Sequence, residues 1–212
     1  MKAIGEILDY ILDPGDTTAG GGSASALSGA MAAALLAMVC RLPGPSGPLG
    51  AEEPGGSAEE VESLAAAGKQ AFGLGEQLQT GSMEDRQAFE GVRAAFRLPK
   101  GGELERAKRT HAVQAAWLRA AEVPLANADL CWQVLRLAIE LEGRTNTNAL
   151  SDYRCAVLLA RAGVLGCLEN VAINLPMIKD EQAAARLAAH ADRLRALLAD
   201  TGANTSQPTD KE

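Results

Sequence analysis

Between Asp16 and Arg41 the chain carries no charged residue, and residues 18–39 read TAGGGSASALSGAMAAALLAMV. Three successive glycines followed by small side chains permit three structures: a phosphate-binding loop, a membrane span, or the start of a close-packed core helix beside a ligand. A nucleotide loop needs Lys-Ser/Thr after its glycines and a strand before them. Gly20-Gly21-Gly22-Ser23 has no such lysine and follows a helical pattern and a turn. The length suits a membrane span, but Gly, Ala and Ser gain little on entering hydrocarbon, and no second span is expected. What remains is a buried central helix from Ser23 to about Cys40. Its face of Ser23, Ala26, Ala30, Ala33 and Ala37 is uniformly small and lets a neighbouring backbone approach. The glycine entry leaves backbone N–H groups that can hold an anion or a polar ligand edge.

A helix packed through alanine requires partners of the same kind. Aromatic residues make up only 3% of the 212 residues, so Ala and Leu must fill the core, and both favour helix over strand. The chain is expected to be all-α: one bundle-like domain of about seven helices over residues 1–200, with a polar, disordered tail at 201–212. Ile4, Ile7, Leu8, Ile11 and Leu12 predict a first helix over 2–12, stopped by Asp13-Pro14-Gly15. Four prolines and five glycines make residues 43–57 a loop. Helices are predicted over 58–79, from a Ser82 cap to Leu98-Pro99, and over 103–141 with a kink or break at Pro124. An apolar helix follows from Asn148 or Ser151 to about Leu175, and an amphipathic one over 180–198.

The formal net charge of −7 argues against a nucleic-acid partner, which needs a basic surface. Cys40, Cys131, Cys155 and Cys167 lie far apart in apolar stretches, without a C-x-x-C pair, and His111 and His190 stand alone. They are read as free thiols in a reducing cytoplasm, with no metal site. The acidic first 16 residues do not fit a signal peptide.

Several polar residues stand where packing alone would not put them. Gly163, Gly166, Asn170 and Asn174 share one helix face at spacings of three and four. A buried amide costs about 1–3 kcal/mol unless it is hydrogen-bonded, so the two asparagines are either interhelical bridges or ligand contacts. Asn146-Thr147-Asn148-Ala149-Leu150-Ser151-Asp152 combines cap chemistry with a carboxylate at a helix start. Asp85 is a first-turn acid or a functional carboxylate, and Lys100 a loop lysine or a cationic donor.

In this order the segments resemble the cyclodeaminase/cyclohydrolase family of folate enzymes. The carriers are Ala19-Gly20-Gly21-Gly22-Ser23, Asp85-Arg86-Gln87-Ala88-Phe89, Arg97-Leu98-Pro99-Lys100, Val123-Pro124-Leu125, Asn146 through Asp152, and Asn170-Val171-Ala172-Ile173-Asn174-Leu175. The resemblance spans about residues 2–198. At two places the chain departs from the pattern: Ala19 replaces a proline, and the loop 43–57 holds no Lys, Arg or Tyr where the family has a basic stretch.

The resemblance implies a cytoplasmic, all-helical homodimer that acts on the carbon bridging N5 and N10 of a tetrahydrofolate derivative, with no cofactor beyond that substrate. The reaction is methenyltetrahydrofolate hydrolysis or formiminotetrahydrofolate cyclodeamination. It further implies Asp152 or Asp85 as the catalytic carboxylate and Lys100 as a cationic donor. Gly20, Gly21, Gly22, Ser23, Asn146, Asn148, Ser151, Asn170 and Asn174 would line the substrate. A folate-binding or scaffold dimer that has lost the chemistry is the alternative.

Overall fold

A computed structural model describes residues 2–42 and 57–204. Most of the loop expected over 43–57, and the tail beyond 204, lie outside the described residues. The described residues form six α-helices and two short 3₁₀ turns: α1 (Lys2–Leu12), α2 (Gly21–Val39), α3 (Ala58–Phe96), α4 (Glu103–Glu140), α5 (Leu150–Asn174) and α6 (Glu181–Asn204), with turns at Thr147–Ala149 and Leu175–Met177. The all-α expectation holds, with six long helices in place of about seven.

α2 runs through the centre and packs on α3, α4 and α5. Its small face is buried as expected, at Ser23, Ala26, Ala30, Ala33 and Ala37. Close approach is built in on both sides. A methyl group on Gly29 would strike the Cys131 thiol, and one on Gly163 would stand 2.8 Å from that sulfur and 3.1 Å from the Gly29 nitrogen. Of the cysteines, Cys40, Cys131 and Cys167 are core residues, whereas Cys155 is exposed.

α3 departs from the sequence reading. A capping box of Ser57 and Glu60 starts it, and it continues through Gly68, Gly73, Gly75 and Gly81 as one helix. Ser82 is therefore no cap. It is buried mid-helix, and its hydroxyl donates to the Gln79 carbonyl at 2.7 Å. The reason is tertiary: the helix glycines cost about 1 kcal/mol each relative to Ala, yet three of them admit a neighbour. Gly68 faces Cys40, Gly75 faces Ala33, and Gly81 faces Asn127, whose Nδ2 donates to the Gly81 carbonyl at 3.0 Å.

α4 also stays whole across Pro124. Proline cannot donate to the carbonyl four residues back, which leaves the Ala120 oxygen open. Asn174 Nδ2, from the end of α5, donates to that oxygen at 2.7 Å. α6 extends to Asn204, past the Leu198 expected, so residues 201–204 are helical rather than tail. Asp180 caps its start by accepting the Ala183 N–H at 3.0 Å.

Two segments, Gly21–Val39 and Thr147–Met177, are long and apolar enough to cross a membrane by length and composition. The second was not expected. Packing separates them: 61% of the apolar window is buried within the chain in the first, against 39% in the second.

Candidate active site

α2 begins on Gly20, whose backbone is extended and which has no side chain with which to cap the helix. The cap comes from α3. Ser23 Oγ donates to Asp85 Oδ2 at 2.9 Å, and the Ser23 backbone N–H bonds the same carboxyl group. Gly22 is what admits Asp85, because a Cβ there would stand 2.5 Å from Asp85 Oδ1. A carboxylate at a helix N-terminus is favoured by the dipole and the unpaired N–H groups. Burial works the other way and is the larger effect. It raises the Asp85 pKa above the ordinary 3.8, and the two bonds from Ser23 only partly offset it. The result is a half-buried carboxyl group that holds its proton more tightly than a surface aspartate does, as general acid–base chemistry requires.

Around Asp85 is a cavity of about 180 Å³. Gly20, Gly21 and Gly22 form one edge, and Asn170 and Asn174 of α5 form the opposite one. Asn170 lies against Gly21, where a Cβ would be 3.2 Å from its Nδ2, and that nitrogen donates to the Gly166 carbonyl at 2.8 Å. Phe89, one turn beyond Asp85, and Ile173 supply apolar walls, and Ala120 adjoins the carbonyl that Asn174 satisfies.

Thr17 and Thr18 close the cavity from the loop between α1 and α2. That loop is fixed from within and from α3. Asp16 accepts the Thr18 N–H at 2.7 Å as well as its hydroxyl, which lowers the Asp16 pKa to about 2. Arg86 Nη2 donates to the other Asp16 oxygen at 3.1 Å, and the guanidinium lies 3.7 Å over the Tyr10 ring. Arg86 is adjacent to Asp85 in sequence, yet its charge is engaged by Asp16 and Glu90 rather than by Asp85. A second cavity of about 400 Å³ shares Thr18 and carries Arg93 and Arg97 on its wall.

The fold thus brings Gly20, Gly21, Gly22, Ser23, Asp85, Asn170 and Asn174 together. It does not bring Asp152 to them within one chain. Asp152 is in the first turn of α5, about 27 Å of helix from Asn170 at ~1.5 Å per residue. Asn146 is buried there as a cap, accepting the Asn148 N–H at 2.9 Å, while Asn148 and Ser151 are exposed. Lys100 is exposed in the loop past α3 and does not line the cavity. Thr17, Thr18, Phe89, Ala120 and Ile173 were not singled out as site residues from sequence. The spacing of Phe89 four residues after Asp85 was a usable signal, whereas nothing local marked Thr18.

Among the described residues no group of three or more His, Cys, Asp or Glu is arranged to hold a metal ion. A family model described as formiminotransferase-cyclodeaminase matches residues 6–193. The chain is 36% identical over 187 residues to a methenyltetrahydrofolate cyclohydrolase of Methylorubrum extorquens, covering 88% of this chain and 84% of that protein. Over 97 residues it is 36% identical to the formimidoyltransferase-cyclodeaminase of Rattus norvegicus, a match to 46% of this chain and 18% of that longer protein. The crystal structure of formiminotetrahydrofolate cyclodeaminase from Thermotoga maritima superposes with a TM-score of 0.71 at 26% identity, covering 93% of this chain and 90% of the other.

Proposed function

The chain belongs to the formiminotransferase-cyclodeaminase family, and from that membership and the cavity at the head of α2 we propose an enzyme of one-carbon folate metabolism that acts on the carbon bridging N5 and N10 of a tetrahydrofolate derivative. The observation that carries this reading is Asp85: a carboxyl group with a raised pKa, bound to a helix N-terminus and flanked by two asparagines.

The two reactions place complementary demands on such a group. In cyclohydrolysis, water adds to the cationic methenyl carbon. A base takes the water proton, the C–N5 bond breaks, and N5 takes up a proton to leave the 10-formyl product. In cyclodeamination, N10 attacks the formimino carbon, the C–NH₂ bond breaks, and an acid protonates the departing ammonia. Asp85 with a raised pKa serves as base in the first and acid in the second. When ionised, it also stabilises the cationic carbon electrostatically.

Asn170 presents an amide to the pterin edge, and Gly20 and Gly21 let a flat ring approach the backbone. The second cavity adjoins the first through Thr18 and is lined by Arg86, Arg93 and Arg97 as well as Asp13, Asp16 and Glu90, and we assign its arginines to the carboxylates of a folate tail. It supplies cationic groups that the loop 43–57 lacks.

The 36% identity to a cyclohydrolase over most of both chains favours hydrolysis of the methenyl substrate as the reaction to assay first. Protein is added to methenyltetrahydrofolate and loss of its near-ultraviolet absorbance is followed, with formiminotetrahydrofolate run alongside. Turnover of either substrate that disappears in Asp85→Asn is the expected result. Absence of turnover of both, with folate still bound, would leave a binding protein.

A further inference from the structure

The two asparagines at the end of α5 are held the same way round. Asn170 Nδ2 donates to the Gly166 carbonyl at 2.8 Å, and Asn174 Nδ2 to the Ala120 carbonyl at 2.7 Å. A reversed amide would set oxygen against oxygen, so each side chain turns over only by losing its bond. Among the described residues nothing donates to either Oδ1, and both side chains border the cavity around Asp85. Thr18 repeats the pattern: its hydroxyl proton goes to Asp16, so toward the cavity its oxygen can only accept. Donors come from the glycine edge. The Ser23 N–H bonds Asp85 and the Ala24 N–H bonds the Gly20 carbonyl, which leaves the N–H groups of Gly21 and Gly22 open among the described residues.

The orientation of Asn174 depends on a residue in another helix. An ordinary residue at position 124 would give its own N–H to the Ala120 carbonyl, and proline has none to give. Pro124 is buried in α4 and does not itself line the cavity, so its effect passes through Asn174. We propose that Pro124 is a positioning residue, which holds Asn174 Oδ1 beside Asn170 Oδ1 as an acceptor edge that reads the ring N3–H and 2-amino group of a pterin. That the ligand is a folate rests on the function proposed above. A spacing of four puts the two amides on one helix face, about 5–6 Å apart at Cβ, so their oxygens can converge on neighbouring N–H groups. The 4-oxo group beside N3 then meets the open N–H groups of Gly21 and Gly22. Donor, donor, acceptor along the ring thus faces acceptor, acceptor, donor across the cavity. A ring turned to offer its 4-oxo group to the asparagines would set acceptor against acceptor, at the cost of two unpaired polar groups.

Titration calorimetry of the full chain with 5-formyltetrahydrofolate and with its 2-desamino-2-methyl counterpart tests this. A methyl group in place of the amino group leaves an acceptor unpaired, so wild type should bind the amino compound about ten- to a hundredfold more tightly. In Pro124→Ala a backbone N–H competes for the Ala120 carbonyl and frees the Asn174 amide to turn. Most of the preference should then disappear, and KM for methenyltetrahydrofolate should rise while kcat is kept. The thermal midpoint should stay level or rise, since alanine is the better helix former; a merely structural proline would lower the midpoint and leave the preference alone. Asn170→Leu tests the same edge without touching α4, because the Gly166 carbonyl keeps its bond within α5, and it too should lose the preference. Equal affinity of wild type for the two compounds, or a full wild-type preference in Pro124→Ala or Asn170→Leu, would overturn the proposal while leaving the folate reading intact. Wild type that binds neither compound and turns over neither folate substrate would overturn the folate reading itself, and the proposal with it.

Discussion

The two ends of α5 are built from the same kinds of side chain. At the C-terminal end Asn170 and Asn174 face a cavity, and the second of them also completes the hydrogen bonding of another helix. At the N-terminal end Asn146 turns inward to cap a 3₁₀ turn, while Asn148 and Ser151 face outward. An amide on a short turn finds backbone N–H groups within its own segment and is satisfied locally. Late in a helix the N–H groups are already paired, so an amide there donates to a carbonyl instead: Asn170 to Gly166 of its own helix and Asn174 to Ala120 of α4. Position on the helix, more than residue type, decides which asparagine also borders the cavity.

The largest contrast concerns the carboxylates. Asp85→Asn should lower turnover by about 10²–10⁴-fold, the usual worth of general acid–base catalysis, with the fold retained by circular dichroism. Its stability should move the opposite way. The Asp85 pKa is raised in the folded state, so its contribution to stability is complete below 3.8 and is lost as pH rises through the raised value. Asp85→Asn should therefore be at least as stable as wild type at neutral pH, as thermal melts would show.

Gly22→Ala adds a methyl group 2.5 Å from the Asp85 carboxyl group. Either the carboxylate swings away or α2 shifts, at about 1–3 kcal/mol, and turnover should fall with it. A variant that keeps wild-type kinetics would show that the contact between Asp85 and the helix end is dispensable.

Asn174→Ala strips the Ala120 carbonyl of its donor and should cost about 1–3 kcal/mol by denaturant titration. Pro124→Ala returns a backbone N–H to that carbonyl, so the double variant should recover most of the loss. A penalty that persists unchanged in the double variant would mean that Asn174 acts elsewhere. At the other end, Asn146→Ala removes the acceptor of both the Asn148 backbone N–H and its side-chain amide, and a loss of at least about 1 kcal/mol, the worth of a cap, is expected by denaturant titration.

Much of this contrast was legible in the sequence. The small face of α2 specified a buried central helix because only alanine and glycine allow such an approach, and two amides on the face with Gly163 and Gly166 announced a polar edge there. What was illegible is non-local. Ser23 and Asp85 meet across two helices, and neither residue's neighbours state the pairing. Ser82 read as the cap of a new helix because propensity is local, whereas the continuity of α3 comes with Asn127 pressed against Gly81. Pro124 read as a kink or a break, and the break is absent because the donor that repairs the helix lies in α5.

The most direct test of the assignment of Asp85 is the pH dependence of methenyltetrahydrofolate hydrolysis, measured for wild type and Asp85→Asn over the acidic to neutral range. A base must be ionised to act, so the wild-type rate should climb with pH to a plateau, with a midpoint above the 3.8 of an ordinary aspartate. In Asp85→Asn the plateau should collapse and the dependence vanish. An Asp85→Asn profile that overlays the wild type in height and midpoint would contradict the assignment outright.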